Sequence, residues 1–129
     1  MQIEQGLMTY LLAQSGITDL VGQRIFFVKA AQDVEKPYLV LTKVTGPRES
    51  SHDGASGLAH PRFQVSVFAE TYAGAKVIAL AVQAALEGYQ GLMDEVYVDG
   101  VFYDDENDFY EDDTKLYHVA SDYIIWHGE

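Results

Sequence analysis

Residues 104–113 concentrate side chains that could do chemistry. Seven of these ten residues are acidic, and no lysine or arginine interrupts them. They are Asp104, Asp105, Glu106, Asp108, Glu111, Asp112 and Asp113. Such a cluster could bind a metal ion, carry out general acid–base catalysis, imitate the phosphates of DNA or repel DNA.

The metal-binding template nearest to this segment is the EF-hand calcium loop. Asp104, Glu106 and Asp108 fit its positions 1, 3 and 5. Phe109 replaces the glycine that turns the loop at position 6, and Lys115 replaces the bidentate glutamate of position 12. Weak calcium binding stays an alternative, but the sequence favours a solvated acidic loop between two strands.

The other uses of carboxylates fit less well. Catalysis by a carboxylate pair needs a defined separation and two unequal environments, and acids confined to one loop offer neither. Imitation of DNA needs carboxylates spread along an extended surface. Residues 94–113 contain ten acids, most of them in the same predicted loop. An acidic DNA-mimic inhibitor therefore stays an alternative.

The remaining candidates for chemistry lack the required spacing. The four histidines form no HExxH motif and no i, i+4 pair on a predicted helix, so no zinc site is predicted. Residues 50–53, "SSHD", are sequence neighbours and cannot converge as a catalytic triad. No GK[ST] follows "GASG" at 54–57, as a phosphate loop would require. We predict no enzymatic activity and no metal or cofactor.

Charge is distributed unevenly along the 129 residues, whose net charge is −12. Residues 1–93 contain eight acidic and seven basic residues, whereas residues 94–129 contain twelve acidic residues and one basic residue, Lys115. Binding of phosphates needs clustered Lys and Arg, so neither nucleic acid nor an anionic membrane is expected as a direct ligand. There is no cysteine, no recognisable signal peptide and no apolar run of the ~18 residues that a membrane span needs.

The apolar pattern predicts a single α+β domain over residues 1–129. Helices are expected at 2–14 and 72–88, with a helical turn near Thr18 and Thr71 capping the second helix. Strands are expected at 24–28, 38–46, 62–70, 95–105 and 115–128. This order favours an antiparallel sheet of about four to five strands packed against two helices. Pro, Gly and Ser in residues 47–59 predict a long loop between two strands.

Two of these elements have informative faces. The second helix directs Ile78, Val82 and Leu86 towards the core. Its narrow polar stripe leaves Val77 and Leu80 partly exposed, which makes them candidate contacts with another subunit. The last strand, 115–128, is apolar on both faces, which predicts a central position in the sheet.

Four segments together resemble the tail completion, or head-to-tail joining, proteins of tailed bacteriophages and prophages. They are "GITDLVGQRIF", "KPYLVLTKV", "HDGASGLAHPRFQVSVFAETYAGAKVIALAVQAALEGYQG" and "EDDTKLYHVASDYIIWHGE". The resemblance implies an α+β subunit that forms a ring, commonly of six copies, at the head-proximal end of the tail tube. It also implies that the ring terminates the tube, docks to the neck or head-completion protein and lets DNA pass without binding it. Assembly would take place in the host cytoplasm, with no cofactor.

The resemblance gives three groups of residues a place in such a ring. The acidic segment would either line the bore and repel DNA or lie on the outer rim. The loop would contact a neighbouring subunit, the tail tube or the neck through Arg48, Glu49, Ser50, Ser51, His52, Asp53 and Gly54. Val77 and Leu80, or else the edge strands by strand addition, would contact another copy, and the sequence does not choose between them. Another neck or minor tail component is the alternative within phage structural proteins.

Overall fold

The computed structural model describes residues 2–45, 48–51 and 54–128, with the backbone alone at 48–51 and 54–57. This part of the chain forms three helices and eight strands. The helices are α1 (Ile3–Leu12), α2 (Ser15–Val21) and α3 (Tyr72–Leu86). The strands are β1 (Ile25–Phe27), β2 (Tyr38–Thr45), β3 (Arg48–Ser51), β4 (Gly54–Ala59), β5 (Arg62–Ala69), β6 (Gly91–Met93), β7 (Val96–Glu111) and β8 (Leu116–Gly128).

α3 begins where its sequence predicts. The Thr71 hydroxyl accepts a hydrogen bond from the Gly74 N–H at 3.0 Å, and this bond caps the first turn of α3. The segment around Thr18, expected to form only a turn, is the seven-residue helix α2. The α+β class is confirmed, with one more helix than expected.

The eight strands form one sheet in which β8 is central. β8 pairs antiparallel with β7 along one side, and with β5 and then β4 along the other. This arrangement confirms the central position predicted for the last strand. β1 pairs with β2 in parallel, so the sheet is mixed and not wholly antiparallel as expected. Its eight described strands also exceed the four to five expected.

The prediction of a long loop over residues 47–59 was wrong. Arg48–Ser51 and Gly54–Ala59 pair antiparallel as β3 and β4, and they extend the β2–β5 hairpin. Glycine and serine indicate backbone freedom, but here the pairing already established between β2 and β5 continues into this segment. His52 and Asp53 lie outside the described residues.

The prediction that the acidic segment forms a loop was also wrong. β7 continues to Glu111 and stays paired with β8 to its end, where Glu111 faces Leu116. Only residues 112–115 form the turn between the two strands. Aromatic residues favour a strand, and three of them lie in or directly before the segment: Tyr103, Phe109 and Tyr110.

The core lies between one face of the sheet and the three helices. Buried side chains of all three helices and of one face of the strands form a single cluster. The largest fully buried members are Tyr123, Phe63, Leu7, Leu11, Ile17, Leu39, Leu41, Leu86, Met93 and Ile125. The opposite face of the sheet carries no helix among the described residues, and it is called the open face below.

Candidate functional site

The acidic segment is divided between the two faces of the sheet because it lies in a strand. Successive side chains of a strand point to opposite faces. The register with β8 shifts between Tyr103 and Asp105, which places Asp104 in a β-bulge. The seven carboxylates therefore do not form one continuous surface.

Two of the acids point to the helix-covered face and contact α3. Glu106 accepts a hydrogen bond from Lys76 at 2.6 Å and another from the Tyr103 hydroxyl at 2.9 Å. Asp108 accepts from the Tyr72 hydroxyl at 2.7 Å and lies 3.4 Å from Lys76 Nζ. These two carboxylates fasten α3 to β7.

The pKa values in this cluster follow from these contacts. The hydrogen bond from Lys76 lowers the pKa of Glu106, and the hydrogen bond from Tyr72 lowers the pKa of Asp108. Burial, reinforced by the hydrogen bond to Glu106, raises the pKa of Tyr103 to about 12. At neutral pH the cluster therefore holds two carboxylates, one ammonium and neutral tyrosines.

A second cluster lies on the open face around one arginine. Arg62 contacts Asp104 at 2.7 Å and Asp122 at 3.2 Å. The hydrogen bond to Asp104 raises the pKa of the guanidinium, which stays charged. Arg62 therefore joins β5 to β7 and β8 across the central strand.

Glu111, the last residue of β7, lies beside His118 of β8. Its carboxylate lies 3.6 Å from His118 Nδ1. The His118 ring stacks on Phe68 at 4.2 Å and lies 5.4 Å from the Phe109 ring centroid. Burial between these rings lowers the pKa of His118, so the imidazole is neutral at neutral pH.

His118 belongs to a row of rings that the sequence did not reveal. The row crosses the open face from β1 to β7 and consists of Phe26, Tyr38, Phe68, His118 and Phe109. The register places Tyr38, Phe68 and His118 side by side on three adjacent strands. Only the strand pairing could have brought these residues together, because they are far apart in the chain.

Besides Glu111, whose neighbour His118 is neutral, three acids of the segment have no cationic partner among the described residues. Asp105, Asp112 and Asp113 are exposed and take part in no ion pair there. One Asp105 oxygen accepts the N–H of Glu106 at 2.9 Å. Within residues 2–45 and 58–128, no group of three or more acidic or histidine side chains is placed to hold a metal ion.

The other predicted contact residues are exposed or only partly described. Val77 and Leu80 lie on the outer side of α3 with 54% and 62% of their surfaces exposed. Arg48, Glu49, Ser50 and Ser51 lie in β3, and Gly54 begins β4. The predicted exposure of Val77 and Leu80 is confirmed, while the subunit contacts stay a prediction.

A cleft of about 820 Å³ opens at the other end of the sheet, near the start of α1. Glu4 and Lys43 form an ion pair of 3.1 Å in its wall. His127 Nδ1 lies 2.7 Å from the carbonyl oxygen of Gly128. The Glu4–Lys43 pair holds the start of α1 to β2, whereas the contact of His127 lies within β8. None of the described helices is long and apolar enough to cross a membrane.

Comparisons with known proteins agree with this architecture. Residues 5–128 match the model of the family described as "Tail completion protein gp17". One chain of the solved structure "Virion of native gene transfer agent (GTA) particle" is similar, with a TM-score of 0.78 and 20% sequence identity. The match covers 93% of this chain and 90% of that chain, which indicates a shared fold. No curated protein is significantly similar to the chain.

Proposed function

The chain belongs to the tail completion protein family, which confirms the resemblance seen in its sequence, and from this premise we propose a specific role at the end of the tail tube. The chain is a structural protein of the virion tail. In the proposed role, copies of it form a ring at the head-proximal end of the tube, with six as the expected number of copies. The ring terminates the tube and joins the tail to the head.

The observation that carries this proposal is the extent of the family match. It covers residues 5–128, which is nearly the whole domain. The two chains compared by structure also cover each other almost completely. The proposed role is therefore assigned to the whole domain and not to one segment of it.

Electron microscopy of the purified protein, alone and with tail tubes, tests the proposal. We expect rings at one end of the tubes and tubes of uniform length. Binding along the tube wall or at the distal end would overturn the terminator role and favour another neck or minor tail component. Binding to a DNA-handling enzyme, with no affinity for tubes, would favour a DNA-mimic inhibitor.

The proposed contacts with neighbours use two surfaces. Val77 and Leu80 form an exposed apolar pair on α3, and burial of such side chains favours association. The β3–β4 hairpin extends beyond the part of the sheet paired with β8, where only Leu58 and Ala59 of β4 pair with that strand. It is therefore placed to reach another subunit, the tube or the neck.

Deletion of residues 49–57 tests the hairpin. Because Leu58 and Ala59 keep their pairing with β8, we expect a folded subunit that fails to join heads to tails. Replacement of Leu80 by Ser is a matched test of the α3 surface, with Leu12→Ser on exposed α1 surface as its control. Joining that survives the deletion would remove the hairpin from the proposed contacts.

If the acidic segment repels DNA in the bore, the carboxylates without cationic partners contribute most of the repulsion. Asp104, Glu106 and Asp108 are occupied by Arg62 and Lys76, so their negative charge is partly neutralised. Asp112 and Asp113 lie in the exposed turn between β7 and β8. Repeated around a ring, they would repel a DNA duplex over about 8–10 Å at physiological salt.

Charge reversal in this turn separates the bore from the rim. If the turn faces the bore, Asp112→Lys with Asp113→Lys should leave ring assembly intact and slow DNA ejection, because lysines bind phosphates. Ejection at the wild-type rate from normally assembled particles would place the turn on the outer rim. The same substitutions at Asp19 and Glu70, both exposed, control for the change in net charge.

A further inference from the structure

The two edges of the sheet differ in charge, because one is strongly acidic and the other carries a small excess of basic residues. One edge, called the acidic edge, is the outer side of β7 from Phe102 to Glu111. The other, called the basic edge, consists of β1, residues 28–37 and β2. Residues 25–45, which form the basic edge, contain three basic residues and two acidic ones, whereas residues 102–111 contain five acidic residues and no basic one. On the basic edge Lys43 is paired with Glu4, and Glu35 with Arg24, which leaves Lys29, Lys36 and Asp33.

We propose that copies of the chain associate head to tail, with the acidic edge of one copy against the basic edge of the next. This contact deepens the proposed function, because a contact between two different surfaces of the same chain produces a ring when its rotation closes. It rests on the proposed ring for its biological role. The contact itself is testable without tail tubes.

The first support is the free backbone of the acidic edge. On the side away from β8, β6 pairs only with residues 96–98 of β7, and the Val101 carbonyl accepts the Gly88 N–H. No described strand pairs with residues 102–111 on that side. Because outward N–H and C=O groups of an edge strand can pair with another chain, this edge is a template for a neighbour.

The second support is the position of the charges along the two edges. Lys29 follows Val28, whose N–H donates to the Leu41 carbonyl, so Lys29 lies near the level of Thr42. Thr42 pairs with Gln64, Gln64 with Asp122, and Asp122 with Asp105. Lys29 and Asp105 therefore lie at similar heights along the strands, at opposite edges of the sheet.

The other end of each edge shows the same relation. Lys36 precedes Tyr38 by two residues, and the level of Tyr38 continues to Phe109, which precedes Glu111 by two residues. Lys29 and Lys36 are exposed and form no ion pair among the described residues. Each edge thus offers two charges at levels that match those of the opposite edge.

Strand direction and apolar surface also fit this contact. β1 is parallel to β2, and β7 is separated from β2 by two antiparallel strands, so β7 would run antiparallel to β1 of the next copy. Phe109 and Phe102 are exposed on the acidic edge. On the basic edge, Val28 is 71% exposed and has a φ of 68°, a strained conformation for a β-branched residue.

A charge-swap experiment tests the proposal. One variant carries Asp105→Lys and Glu111→Lys, and the other carries Lys29→Glu and Lys36→Glu. Each variant alone brings like charges together, so its self-association at low salt, measured by sedimentation velocity, should weaken by about tenfold or more. An equimolar mixture of the two variants, and a chain that carries all four substitutions, should both recover association.

The controls separate this contact from general charge effects. Asp19→Lys with Glu70→Lys changes the net charge equally at exposed positions on neither edge, and it should associate like the wild type. Thermal unfolding of every variant checks that the monomer is folded. Added salt should weaken the wild-type contact, because exposed charges are screened.

Each outcome has a defined meaning. A wild-type protein that stays monomeric at low salt and high concentration overturns the edge contact, and so does failure of the swap to restore association. Reversed variants that still form rings on tube ends overturn the edge contact while the terminator role stands; the acids then serve only to protect a free strand edge. Association that depends on both edges without binding to tubes supports the contact and overturns the terminator role.

Discussion

Replacement of Lys76 by Met tests whether the acidic strand depends on its cation from α3. Methionine keeps most of the apolar stem and removes the charge, which leaves Glu106 and Asp108 without their ammonium partner. Tyr103 and Ser121 still donate to Glu106, at 2.9 and 3.3 Å. The substitution therefore removes mainly the charge interaction.

The expected cost follows from the exposure of the cluster. The side chains of Lys76 and Glu106 are 31% and 24% exposed, between a surface pair and a buried one. Surface pairs contribute about 0.2–1 kcal/mol, and hydrogen bonds to charged groups contribute about 1.5–3 kcal/mol. We expect Lys76→Met to lower the free energy of unfolding by about 1–2 kcal/mol, which corresponds to a fall in Tm of about 3–8 °C.

The lowered pKa values of the two carboxylates determine how the lost stability should depend on pH. The folded-state pKa values of Glu106 and Asp108 are lowered, so their contribution to stability is present above the unfolded-state pKa values and is lost as pH falls through the folded ones. The difference in the free energy of unfolding between wild type and Lys76→Met should therefore be largest near neutral pH. It should shrink below about pH 4.

Urea denaturation at neutral and acid pH measures this difference, with Lys115→Met as the matched control. Lys115 is exposed and forms no ion pair among the described residues, so its replacement should change stability by less than about 0.5 kcal/mol. Equal stability of the two variants at neutral pH would refute the reasoning. If the two variants differ in stability by the same amount at acid pH, the effect of Lys76→Met comes from packing of the lysine's aliphatic stem and not from its charge.

Substitutions at three further positions test the packing described above, each measured by urea denaturation. Gly6→Ala should destabilise by about 1–3 kcal/mol despite its better helix propensity, because a Cβ there would lie 2.7 Å from the Met93 carbonyl oxygen; a gain in stability would contradict that close approach. Thr71→Ala should cost about 1 kcal/mol through loss of the cap to Gly74, whereas Thr71→Ser should keep it. Tyr123→Phe should stabilise by up to about 1 kcal/mol, since the buried hydroxyl has no hydrogen-bond partner in the described chain, and a large loss would reveal one.

The elements with a strong apolar period could be predicted from the sequence. α3 and β8 lie close to their predicted bounds because one has a clear helical stripe and the other is apolar on both faces. Val77 and Leu80 were expected to be exposed for the same reason, and they are. Local pattern decides these features, so one sequence is enough to find them.

The acidic strand could not be predicted because its stability comes from distant residues. Asp and Glu are poor strand formers, so the acids around Tyr103 favoured a loop. The contacts that accommodate them come from Lys76 on α3 and Arg62 on β5, 30 and 42 residues away from Glu106 and Asp104. Such partners become visible only when the register of β5, β7 and β8 is known.

The order of the elements along the chain has a consequence for biosynthesis. β8 joins β7 to β5, yet it follows both of them in the chain. While the ribosome is still adding residues 116–128, the emerging polypeptide holds two strands without the one that connects them, and long-range strand pairing is slow. The native sheet can thus be completed only after β8 has been synthesised, and until then β5 and β7 lack the strand that pairs with both of them.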